Sequence, residues 1–149
     1  MRNPSSIVPV FCLLYLSIHN ATAGDLSALS GHYRYDEYQV TLPNGRVLGL
    51  TDLGAAKAFL DISDTGTITL RMTMKGGDTV TQTAKILDAH VAQGKGYWIA
   101  RWPDMSKPVK TQITLVAGTL TSDTRFDDPS DAERYGSVEH AVLDKVDGT

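Results

Sequence analysis

From Tyr33 onward, apolar and polar side chains alternate with period two along most of the chain, and the 3.6-residue period of a surface helix is nearly absent. The clearest run is Thr67-Ile68-Thr69-Leu70-Arg71-Met72-Thr73-Met74. It puts Ile68, Leu70, Met72 and Met74 on one face and the threonines and Arg71 on the other, as a half-buried strand requires. Ahead of it, Ala56, Ala58, Leu60 and Ile62 alternate with Lys57, Phe59 and Asp61, and Ser63-Asp64-Thr65-Gly66 supplies a turn, so the two runs form a hairpin. Tyr33 and Tyr35 share a phase, whereas Tyr38, Val40 and Leu42 hold the opposite one. The slip at Asp36-Glu37 predicts a bulge within one long strand. Asn44-Gly45 predicts a tight reversal into residues 46–50. Lys75-Gly76-Gly77-Asp78 opens a strand through Val80, Gln82, Ala84 and Ile86 that continues past a second slip to Leu87, Ala89 and Val91. Gly94-Lys95-Gly96 leads into residues 97–102, which Pro103-Asp104 ends, and Val109, Thr111, Ile113, Leu115 and Ala117 make a seventh run. Residues 121–136 read as a long polar connection. Residues 137–146 fit either a helix or a strand.

Seven or eight consecutive strands joined by short turns predict an all-β, antiparallel meander. Long free edges invite aggregation, and closing the sheet into an up-and-down barrel of about eight strands removes them. A two-sheet sandwich is the competing architecture. It needs a long crossover, whereas every connection through residue 108 reads as a local hairpin.

Composition and charge then narrow the function. The chain has 149 residues and a formal charge of −3, with no Lys/Arg block of the kind a nucleic-acid surface needs. Residues 1–23 read as an export signal: Arg2 is a short basic start, about 12 apolar positions follow where a membrane span needs roughly 20, and Ala21-Thr22-Ala23 is a cleavage site. Cleavage there leaves residues 24–149 as one barrel domain, removes the single Cys12, and predicts a periplasmic or secreted protein with no membrane insertion and no disulfide.

Asp25-Leu26-Ser27-Ala28-Leu29-Ser30-Gly31-His32-Tyr33 resembles the short helical turn and Gly-x-Trp lead-in to the first strand of lipocalin-like barrels, with Tyr33 in the Trp position. The resemblance implies an eight-stranded barrel with an interior cavity and often a C-terminal helix, which residues 137–146 would supply.

Reactive chemistry finds little support. Asp64-Thr65-Gly66 is a protease-like tripeptide, but it occurs once, where paired carboxylates need two copies. Residues 61–66 imitate the start of a calcium loop, yet Met72 stands where the bidentate Glu belongs. The acidic run Asp123, Asp127, Asp128, Asp131 and Glu133 suits either a calcium loop or a solvated turn in which Ser130 and Glu133 form a capping box. His32, His90 and His140 lack metal-ligand spacing, and no G-x-S-x-G elbow occurs. We therefore expect no enzyme, no cofactor and no metal. The expected function is binding. Tyr33, Tyr35, Met72, Met74, Trp98, Arg101 and Trp102 would line a site for a small apolar molecule. In the alternative, the barrel is filled and the loops at 103–108 and 121–136 engage an envelope protein, as an inhibitor or immunity-type protein does.

Overall fold

Period-two patterning becomes strand wherever one face can be buried, and here it does so nine times. A computed structural model describes residues 23–147. The export-signal reading concerns residues 1–23, which apart from Ala23 lie outside the described ones. A short helix α1 (Ala23–Leu29) precedes β1 (Gly31–Thr41), β2 (Val47–Gly49), β3 (Ala55–Ile62), β4 (Thr67–Met74), β5 (Thr79–Ala92), β6 (Lys95–Arg101), β7 (Val109–Val116), β8 (Thr119–Arg125) and β9 (Val138–Lys145). Strands β3 to β9 follow one another in sheet order, each antiparallel to the next, and β9 pairs with β1. The result is a closed eight-stranded antiparallel barrel, with β2 as a short extra strand. No sandwich crossover exists among the described residues.

Both slips in the sequence pattern are bulges. The β1–β9 register shifts between Tyr35 and Glu37, so Tyr33, Tyr35 and Tyr38 all face inward. The β5–β6 register shifts between Ile86 and Asp88; this turns Leu87 out to solvent and returns Ala89 and Val91 to the interior. A third bulge escaped the sequence reading. At the start of β3 the register shifts between Ala55 and Lys57, so Ala55 is buried and Ala56, expected on the inner face, is exposed.

Three further expectations are corrected. Ala117 is not in a strand: with φ values of 49° and 81°, Ala117 and Gly118 form the two-residue turn between β7 and β8, where positive φ at both central positions matches the strand twist. Residues 121–125, read as the start of the long connection, belong to β8. Its inward residues Leu120, Ser122 and Thr124 are buried, but only one of them is apolar, so an apolar count passes over the strand. The C-terminal segment is strand β9 and not a helix, because its other edge is needed to close the barrel on β1. The Ser63–Gly66 segment is the hairpin turn it was expected to be, closed by Ser63 N–H to Thr67 O at 2.9 Å with Gly66 at φ 86°.

The two ends of the barrel differ. At one end lie α1 and the tight turns at 63–66, 93–94 and 117–118. Leu29, Tyr33, Leu60, Ile62, Ile68, Ile86, Trp98, Ile113, Leu120 and Leu143 fill this half solidly. The Tyr33 hydroxyl, fully buried, donates to the Leu29 carbonyl at 2.7 Å and ties the end of α1 to the floor. At the other end lie the long connections at 102–108 and 126–137.

Candidate functional site

Following the inward positions of each strand from the α1 end to the loop end, apolar bulk gives way to small or polar groups. On β8 the series is Leu120, Ser122, Thr124; on β9 it is Leu143, Ala141, Glu139; on β5 it is Ile86, Ala84, Gln82. Chain packing fills an interior only while side chains are large enough to meet across it. Past the middle of this barrel they are not, and a cavity of about 220 Å³ opens towards the loops. Its walls are Tyr35, Tyr38, Ala58, Leu70, Met72, Gln82, Trp102, Thr111, Ser122 and Glu139. Thr111 and Thr124 satisfy each other across β7 and β8 at 2.8 Å.

β1 changes partner along one edge: residues 31–34 pair with β3, whereas Gln39–Thr41 pair with β2. The segment 50–54 brings Leu50 and Leu53 to the cavity wall. Asp104, Met105, Phe126 and Arg134, from the two long connections, line its loop end. Those connections are latched together. Arg134 pairs with Asp104 and, at 3.3 Å, with Asp131; Lys107 meets Asp128 at 3.4 Å; and the Ser106 and Ser130 hydroxyls lie 3.3 Å apart.

Two tyrosines and a carboxylate form the polar corner. The Tyr38 hydroxyl donates to Glu139 Oε2 at 2.9 Å, and the Tyr35 and Tyr38 rings meet edge to face with centroids 6.0 Å apart. Burial raises both phenols well above their ordinary value, and the Glu139 charge adds to this. Burial also pushes the Glu139 carboxyl up, with the Tyr38 hydrogen bond and Arg134 opposing it. Burial works to lower Arg134, and Asp104 and Asp131 outweigh it.

A carboxyl whose pKa rises on folding favours the fold while protonated. That contribution is whole below the unfolded pKa and is lost as pH climbs through the folded one. Thermal unfolding from about pH 4 to about pH 8 should therefore show a steeper fall in Tm for the wild type than for Glu139→Gln. The Gln variant should be the more stable at the upper end, and coincident profiles would contradict the assignment.

The seven residues expected to bind divide cleanly. Tyr35, Met72 and Trp102 line the cavity, and Tyr33 and Trp98 belong to the solid half, 0% and 5% exposed. Met74, in register with Ala55 at the loop-end rim of β4, is outside the lining. Arg101 points outward and is exposed, in phase with Tyr97 and Ile99. Sequence reasoning missed Tyr38, Gln82 and Glu139. The signal was there for Gln82, which interrupts the apolar phase of β5. For Glu139 it was hidden, because its phase has meaning only once residues 138–145 are a strand.

Three of the five acidic residues in the run are spent locally. Asp123 pairs with His140 at 2.7 Å, Asp128 accepts from the Ser130 N–H and hydroxyl at 3.0 and 2.8 Å, and Asp131 holds Arg134. The Ser130 capping box does not form: residues 126–137 make turns without a helix, and the Asp128 carboxylate accepts the Ser130 N–H in a local turn. Outside the barrel wall, the same two connections border a second, open groove of about 480 Å³ that includes Met105, Lys107, Arg125, Phe126 and Asp128. Comparison with protein families, with curated proteins and with solved structures gives no match, so the site is read from its own geometry.

Proposed function

We propose that this protein is an exported, non-catalytic binding protein of lipocalin-like build that holds a small, largely apolar molecule in the loop end of its barrel. The observation that carries this reading is the one-sided filling of the interior: one half is filled by buried apolar side chains, and the other keeps a lined space beneath loops that are latched to each other. A void left by chance would be apolar and would cost stability in proportion to its size. This one has a Tyr, a Glu and a Gln turned into it among aromatic and thioether groups, the mixture typical of ligand pockets. An apolar cavity of about 150 Å³ takes up benzene, so about 220 Å³ suits a single ring with a short substituent. The α1-to-Gly31-x-Tyr33 lead-in supports the lipocalin-like reading, and the leader-like residues 1–23 support export to the periplasm or the medium.

The open groove favours a second reading, in which residues 103–108 and 126–131 receive an envelope protein. Native mass spectrometry of protein purified from its own host distinguishes the two. A small-molecule adduct that is lost when Met72 is replaced by Trp, which fills the cavity, supports the first. Adduct-free protein that co-purifies stoichiometrically with a second polypeptide, and shows no thermal shift with small apolar compounds, supports the second and overturns the first.

A further inference from the structure

The cavity's charged groups do not balance, and the imbalance indicates what it would hold. Three charged side chains line it: Asp104, Arg134 and Glu139. Arg134 is already engaged by Asp104 and by Asp131. Glu139 forms no ion pair within 4 Å among the described residues; its carboxylate has the neutral Tyr38 hydroxyl as its donor. Within the lining one guanidinium thus faces two carboxylates, and the one it does not contact, Glu139, sits on the inner wall. Tyr35, Tyr38 and Trp102 line the same cavity, and the faces of such rings attract a cation.

The geometry points to an organic ammonium with a small apolar body as the ligand, its charged nitrogen at Glu139 and its body against Leu70, Met72 and Trp102. This rests on the cavity being the binding site, as proposed above. A cation there would give Glu139 a direct ion-pair partner, where Arg134 acts on it only from beyond 4 Å, and would offset the desolvation that holds its carboxyl towards the neutral form. Aromatic walls and a desolvated carboxylate each favour the charged form over an uncharged molecule of the same shape. An anionic ligand would meet the reverse: its natural partner, Arg134, is occupied, and Glu139 would repel it.

Isothermal titration of the wild-type protein near neutral pH with three isosteric probes tests this: 2-phenylethylammonium, 2-phenylethanol and phenylacetate. The expected result is that the ammonium binds at least about tenfold more tightly than the alcohol, and phenylacetate most weakly. Glu139→Gln should bring the ammonium down to the level of the alcohol, and a cooperative urea transition of the variant shows that it is folded. Equal binding of ammonium and alcohol, or tightest binding of phenylacetate, would overturn the cation assignment and leave the cavity reading standing. Failure of all three to bind would overturn both.

Discussion

Replacing Gly96 with alanine is expected to cost about 3 kcal/mol or more, at the severe end of single substitutions. Gly96 lies on β6 opposite Val91, just past the β5 bulge, where the two strands curl closely together. A Cβ at this position would overlap the His90 carbonyl oxygen, approach its carbonyl carbon to 2.7 Å and come within 3.0 Å of the Val91 Cα. All three are backbone atoms, so no rotamer change relieves the clash, and the β5–β6 ladder must separate to admit the methyl group. Gly76 provides the control. It sits in the β4–β5 turn with nothing within 4 Å of an added Cβ, and Gly76→Ala should stay within about 0.5 kcal/mol of wild type. Urea denaturation of the two variants checks the contrast; similar midpoints would show that the strands do not approach as described.

Tyr33→Ala should be the most damaging side-chain truncation, at about 3–5 kcal/mol. Tyr33 is fully buried at the floor of the solid half, and its hydroxyl reaches the Leu29 carbonyl, so one residue both fills the core and fastens α1 across the barrel end. Tyr33→Phe separates the two contributions: it keeps the ring and loses the hydrogen bond, which should cost about 1–3 kcal/mol because the carbonyl is left without its partner. If the Phe variant equals wild type while hydrogen exchange in α1 is unchanged, the hydroxyl does not fasten the helix.

The barrel was legible in the sequence because period two is a direct consequence of one buried face. Even the two long-strand bulges showed themselves, since an extra residue inverts the phase of everything after it, as at Asp36-Glu37 and Leu87. What stayed hidden follows from the same physics. β8 alternates between Leu120, Ser122 and Thr124 inside and polar groups outside; small hydroxyl residues can line a barrel interior by bonding to each other, as Thr111 and Thr124 do, and leave no apolar trace. The site was half legible. Size and phase point to Tyr35, Met72 and Trp102, while Arg101, expected among them, lies on the outer face of β6 with Tyr97 and Ile99. Glu139 could not be placed from sequence, because its neighbours Tyr38 and Arg134 come from β1 and the long β8–β9 connection, brought together only when the barrel closes.

The two tryptophans offer the most direct measurement, because Trp98 lies in the solid half and Trp102 on the cavity wall. Titrating iodobenzene, a ring of suitable size whose iodine quenches indole on contact, into Trp98→Phe and Trp102→Phe proteins reports on each half alone. The expected result is saturable quenching when Trp102 is the remaining indole and none when it is Trp98. Saturable quenching of Trp98, or only linear, non-saturating quenching of both, would contradict a barrel that is packed at one end and open to a ligand at the other.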